Sequence, residues 1–136
     1  NKVGAYTTDT AYRIRTLKGT SVEQLVGCFY NGLTALSAEL EGRHYGGGVL
    51  ELVPSEIEKL VLPLPTKGHI DLRELDRQIR SPMSAQDVLE ANSRVVLGGL
   101  GLSRAKQDCI LHGWVRLRNR RHRTTSEEKV EASEAA

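Results

Sequence analysis

An α+β fold is what this sequence predicts, and three observations carry it. Residues 10–16 alternate apolar and charged side chains, the period of a half-buried strand. Residues 21–41 repeat their apolar side chains at helical spacing, and past residue 69 the pattern is helical throughout. The expected architecture is a small sheet from residues 10–16 and 49–53, packed on an amphipathic helix over 21–41 and followed by a helical second half.

Each element has a local cause. Tyr12 and Ile14 point to one side of the first strand and Arg13 and Arg15 to the other, until Lys18-Gly19 ends it. Thr20 stands three residues before Glu23, the spacing of a capping box. Val22, Leu25, Val26, Phe29, Leu33, Leu36 and Leu40 then form one apolar helix face, which Gly42 stops. On this register Leu33 and Leu36 are buried and Glu39 is at the surface. Arg43-His44-Tyr45-Gly46-Gly47-Gly48 reads as a loop and residues 49–53 as a short strand, broken by Pro54 and Ser55. Residues 55–60 fit a short capped helical turn. Pro63 and Pro65, at alternate positions, keep residues 61–65 extended. Thr66-Lys67-Gly68 marks the clearest boundary. Helices are expected over 70–79, 84–97 and 103 to about 122, the last two separated by Gly98-Gly99-Leu100-Gly101. Gly113 weakens the last helix by roughly 1 kcal/mol relative to Ala. Residues 124–136 are small and acidic without apolar period, the pattern of an unstructured tail. Three segments result: an α+β part over 1–68, a helical part over 69–123 and the acidic tail over 124–136.

With 136 residues and 15.0 kDa the chain has the size of one domain, and 39% hydrophobic with 26% charged residues is a globular profile. Aromatics at 4% leave a mostly aliphatic core. No run approaches the roughly 18 apolar residues of a membrane span and no signal-peptide pattern opens the chain, so a cytoplasmic location is expected. Two cysteines, Cys28 and Cys109, cannot staple a scaffold; both fall in or beside apolar stretches, as small hydrophobes do. The first residue is Asn1 rather than Met, as in a piece excised from a longer chain. The net charge of +2 is segregated: residues 104–123 hold +6 and residues 124–136 hold −3. A basic stripe before an acidic tail suits a polyanionic partner, with the tail as an internal competitor.

Few constellations carry chemistry. Gly46, Gly47 and Gly48 lack Cβ atoms, so their amides could approach a phosphate closely, with Arg43, His44 and Tyr45 adding a cation, a titratable donor and a stacking ring. On composition alone, a plain flexible turn between helix and strand explains the glycines more simply. The run from Val95 to Gly101 imitates a dinucleotide-binding entry, but Arg104 stands where the third glycine belongs, so a helix–loop–helix connection fits better. Cys109 and His112 lie three apart, and Cys28, His44, His69 and His122 show no spacing to complete a metal site. No catalytic triad or carboxylate pair is evident. Arg116, Arg120 and Arg123 share a helix face, opposite Ile110, Trp114 and Leu117, with Arg118 and Arg121 beside it. That face reads either as a phosphate-contacting row or as a solvated helix end whose cations complement the dipole.

One longer pattern is more specific. Thr8-Asp9-Thr10 precedes a strand, Phe29-Tyr30-Asn31 lies within the helix, and then comes Glu39-Leu40-Glu41-Gly42-Arg43-His44-Tyr45-Gly46-Gly47-Gly48-Val49-Leu50-Glu51-Leu52. Pro54-Ser55-Glu56 and Leu62-Pro63-Leu64-Pro65 close the pattern. This stretch resembles the C-terminal, target-recognition portion of adenine-specific DNA methyltransferases of restriction–modification systems. Gly32 departs from that pattern, since relatives often carry Ser after the helix Asn.

The resemblance implies a bacterial or archaeal parent enzyme that moves a methyl group from S-adenosylmethionine to an adenine amine, after extruding the base from double-stranded DNA. The family's chemistry depends on an Asn/Asp-Pro-Pro-Tyr/Phe motif. Here Pro54, Pro63, Pro65 and Pro82 are the only prolines and no two are adjacent. The expectation is therefore a DNA-contacting fragment, inactive alone, with no cofactor or metal of its own and a catalytic domain upstream in the parent chain. Its DNA-facing residues would be Arg43, His44, Tyr45, Gly46, Gly47, Gly48, Arg116, Arg120 and Arg123. The alternative is a non-catalytic specificity or interaction module serving a separate methyltransferase chain.

Overall fold

A computed structural model describes Gly4, Tyr12 and residues 14–45, 48–65 and 70–134, with side chains up to His122. Among these residues the architecture is α+β: one two-stranded antiparallel sheet set among six helices.

The first helix, α1, spans Val22–Phe29. Its cap is Ser21, whose Oγ accepts the Gln24 N–H at 2.9 Å, one residue later than the Thr20–Glu23 spacing suggests. The expected continuous helix over 21–41 is interrupted: α1 ends at Tyr30 and α2 spans Gly32–Glu41. The break belongs to Asn31, which is fully buried in extended backbone. Its Oδ1 accepts the Leu33 and Thr34 amides at 2.8 and 3.1 Å, capping α2, while its Nδ2 donates to the Cys28 carbonyl and to Thr34 Oγ1. A side chain that satisfies both helix ends offers the backbone a better arrangement than continuing the ladder. The kink also undoes the single apolar face: Val22, Val26, Phe29 and Leu40 are exposed, and Leu33 and Leu36 only half-buried.

The sheet is a hairpin of β1 (Arg43–Tyr45) and β2 (Val49–Glu51), in the register Arg43↔Glu51, His44↔Leu50 and Tyr45↔Val49. The stretch read as a loop thus supplies a strand. The expected partner over 10–16 does not do so in its described part: residues 14–16 have no regular structure, and Tyr12 and Ile14 are exposed. Residues 10, 11 and 13 lie outside the described residues. At Tyr12 and residues 14–16, alternation without burial of Tyr12 and Ile14 does not hold a strand.

The short helix α3 spans Pro54–Ile57, with Pro54 rather than Ser55 opening it. Residues 61–65 have no helix or strand, and Val61 is tied to α2 while the Pro65 carbonyl accepts from Gln24 Nε2 on α1. Thr34 Oγ1 donates to the Val61 carbonyl and Ser37 Oγ accepts the Val61 N–H, both at 3.0 Å. The Thr66–Gly68 boundary lies outside the described residues. Helix α4 spans Leu72–Ile79, capped by Asp71, and α5 spans Ala85–Gly99, capped by Ser84. The connection from α5 to α6 is a helix–loop–helix turn: Gly98 and Gly99 finish α5, and Gly101 takes φ +77. The last helix, α6, spans Arg104–Glu134. It runs past the expected end near His122 and through the segment read as an unstructured tail. Past Gly113 the chain meets neither Gly nor Pro, and Glu127, Glu128, Lys129 and Glu131 are good helix formers.

The core is aliphatic around one tryptophan. Cys28, Leu75, Val88, Leu89, Val96, Leu97, Leu111 and Trp114 are buried, with Tyr30, Ala35 and Leu36 packed on Leu89, Leu111 and Trp114. The α+β and helical segments therefore share a core, with α2 against α5 and α6. At the α1–α2 break, Asn92 Nδ2 from α5 donates to the Gly27 and Tyr30 carbonyls at 2.8 and 2.6 Å. Ser93 Oγ accepts the Gly32 N–H at 2.7 Å and donates to the Leu89 carbonyl. Burial raises the Cys28 thiol above its ordinary range, as for a small hydrophobe, whereas Cys109 is exposed and is not part of the core. Among the described residues no helix is long and apolar enough to cross a membrane.

Candidate nucleic-acid interface

The hairpin leaves α2 through Gly42. A Cβ there would lie 2.8 Å from the Ala38 carbonyl oxygen and from Leu50 Cδ1, so β2 can approach the helix end only because position 42 lacks one. Directly opposed residues of an antiparallel pair share a face. His44 and Leu50 turn towards α2, with His44 Nε2 3.6 Å from Glu39 Oε2. Arg43, Tyr45, Val49 and Glu51 form the other face, on which Tyr45 and Val49 are half-exposed.

Arg43 is not a free cation. Its Nε donates to Glu56 Oε1 at 2.7 Å, and Glu56 Oε2 accepts the Val53 N–H at 2.9 Å. The Val53 amide, and after it Arg43, hold the Glu56 carboxyl below its usual range, while the carboxylate raises the Arg43 guanidinium. Gly48 is buried with φ +73, a conformation that favours glycine; Gly46 and Gly47 lie outside the described residues.

The Arg-rich end of α6 divides into two faces. Gln107, Leu111, Trp114, Arg118 and Arg121 recur at offsets of four and three on the inward stripe. Gln107, Leu111 and Trp114 are buried, and Arg118 lies 5.8 Å over the Trp114 ring. Arg121, expected beside the solvent face, points in. Its Nε and Nη2 donate to the two carboxylate oxygens of Glu39 at 3.0 and 2.8 Å, and its Nη1 donates to the Gly48 carbonyl. The side chains of Arg121 and Glu39 are 11% and 3% exposed, so Glu39 is a buried anion rather than a surface residue. The Glu39 hydrogen bonds raise the Arg121 guanidinium above its ordinary value. Sequence reasoning missed this pair because its members lie 82 positions apart. One signal was present: Arg121 falls on the stripe that Leu111 and Trp114 define.

Arg116 and Arg120 are exposed and flank an open groove of about 570 Å³, floored by Leu36, Gly113 and Leu117. The Arg123 side chain lies outside the described residues. The structure thus brings Arg116 and Arg120 together as expected. Through Arg121 it also ties the glycine turn to the same end of α6. His44 turns to Glu39 and Arg43 to Glu56.

The described residues thus form an α+β unit in which a glycine-turned hairpin is clasped beside two exposed arginines, Arg116 and Arg120. A family model described as "Type II methyltransferase M.Eco57I, C-terminal domain" matches residues 1–97, and the chain belongs to that family: it is a C-terminal portion of a restriction–modification methyltransferase. No curated protein and no solved structure compared with the chain matches it.

Neither recess described here suits S-adenosylmethionine. Among the described residues the α6 groove sets two guanidinium groups, and no carboxylate, against a sulfonium cation. A second recess, beside Ile70, Asp71, Glu74 and Leu75, has about 130 Å³, well under the roughly 300 Å³ at which ligand pockets begin.

Proposed function

We propose that this chain is the DNA-contacting, target-recognition portion of an adenine-specific, S-adenosylmethionine-dependent DNA methyltransferase, and that the catalytic domain and its cofactor lie upstream in the parent chain. The observation that carries the reading is the exposed pair Arg116 and Arg120, adjoining in a methyltransferase-family chain the residue that anchors the hairpin turn. Guanidinium forks match phosphate oxygens, so this pair sets the chain on the backbone of a duplex, and the helical spacing of Arg123 in the sequence makes it a third candidate. Tyr45 and Val49 give the outward hairpin face an apolar surface for sugar or base edges. Arg43 contributes less than its charge suggests, because Glu56 already occupies its Nε–H. The chain by itself transfers no methyl group, for want of paired prolines.

Fluorescence anisotropy with a labelled duplex over a salt series tests this. Log affinity falls against log salt by about 0.9 per phosphate neutralised, so replacing Arg116, Arg120 and Arg123 by Ala flattens the slope by up to about three units. An unchanged slope removes α6 from the interface, and no salt-dependent binding at all overturns the DNA reading. Transfer from labelled S-adenosylmethionine to DNA above a no-protein control overturns the fragment reading.

A further inference from the structure

We propose that Glu39 and Arg121 are positioning residues that hold the β1–β2 hairpin in fixed relation to the Arg116–Arg120 row, so that the two meet DNA as one surface; this rests on the DNA reading above. All three nitrogens of the Arg121 guanidinium take part. Nε and Nη2 close a bidentate pair with Glu39 on α2, and Nη1 reaches the Gly48 carbonyl at the hairpin turn. Three elements, α2, β2's entry and α6, thereby meet at one guanidinium. The planar fork fixes both distance and angle, which a lysine ammonium does not. Glu39 also faces His44 at 3.6 Å, so the pair meets the hairpin at a second point. Arg120 precedes Arg121 by one residue on the same helix and lines the groove with Arg116, so the angle fixed at Arg121 sets where the hairpin stands relative to the row. A buried ion pair is a poor device for stability alone, since apolar residues of similar volume often replace it without loss. Fixing geometry is what distinguishes it.

The same fact supplies the test. Glu39→Leu with Arg121→Met removes one negative and one positive charge together, leaving the net charge, and so the long-range attraction to DNA, unchanged. Compared with the wild-type chain, thermal melting of this double variant stays cooperative. Amides of Arg43–Tyr45 and Val49–Glu51 exchange with solvent at least about ten-fold faster, as expected when a local unit loses its tether, while α5 amides keep their rates. Duplex affinity falls about ten-fold at fixed salt through lost preorganisation. Arg121→Lys keeps the charge and part of the hydrogen bonding, and lies between the two in both measurements. If the double variant does not melt cooperatively, Arg121→Lys carries the comparison. Wild-type hairpin exchange in these variants overturns the proposal, as does loosened exchange with wild-type affinity. Absence of binding by the wild-type chain overturns the DNA reading and the positioning role with it, whereas the exchange arm, which contains no DNA, separately establishes whether the pair holds the hairpin.

Discussion

Asn92→Asp isolates what seals the break between α1 and α2. The two side chains have the same shape, but the carboxylate has no N–H to give. In the wild-type chain Asn92, 7% exposed, donates to the Gly27 carbonyl at 2.8 Å and the Tyr30 carbonyl at 2.6 Å. Those carbonyls sit at the end of α1, where no intrahelical donor exists. Leaving a buried acceptor without a partner costs about 1–3 kcal/mol, so two lost together amount to about 2–6 kcal/mol, plus repulsion between the carboxylate and the carbonyl oxygens. Protonation relieves part of this, since an acid O–H restores one donor; the folded-state pKa of the new Asp is therefore raised. A raised acid binds its proton more tightly in the folded state, so the variant loses stability as pH climbs from about 4 through that folded value. Urea denaturation at pH 4 and pH 7 measures it, with the wild-type chain at each pH as reference and the slope against denaturant unchanged. Asn92→Ala should be milder, at about 1–3 kcal/mol, because Asn92 borders the recess between α4 and α5 and water can follow. An Asp variant within about 0.5 kcal/mol of wild type at pH 7, the spread of ordinary surface changes, would refute the argument.

Three further outcomes are expected. Glu39→Ala strands the Arg121 guanidinium and costs about 3–5 kcal/mol, whereas half-buried Leu36→Ala costs about 1–3 kcal/mol; chemical denaturation of both gives the order, which is the reverse of the one the helix period suggests. Carbon-detected NMR titration should find the Glu74 carboxyl at about 2, held there by Arg77 and then Gln78. Its contribution to α4 is present above the ordinary carboxylate range and is lost as pH falls towards 2. A thiol reagent should modify Cys109 rapidly and Cys28 only on unfolding, so mass spectrometry of the native chain shows a single adduct.

The helical half was largely legible because its signals are local. Asp71 and Ser84 cap α4 and α5 near where the patterns begin, and Gly101 sits at the left-handed turn before α6. The break at Asn31 was hidden by an apolar repeat that runs through it without a gap. Its only trace was a capping residue three positions before Thr34, whose hydroxyl completes the arrangement. The strand Arg43–Tyr45 is too short to show a period, and what makes it a strand is its partner β2. The Arg116–Arg120 face was readable from helical spacing. The Glu39–Arg121 pair was not, because a carboxylate's burial depends on a cation that arrives only when α6 folds across α2.

That crossing bears on how such a domain can be transplanted. The family match ends at residue 97, whereas Leu111, Trp114 and Arg121 all lie after it. A chimera that moves the hairpin and α2 into another methyltransferase without α6 would uncover Leu89 and Leu36 and leave Glu39 with no cation beneath the graft. The smallest portable unit therefore reaches at least Arg121, and its two halves should be exchanged together. Among natural relatives the same constraint predicts paired change: where position 39 loses its carboxylate, position 121 should lose its arginine.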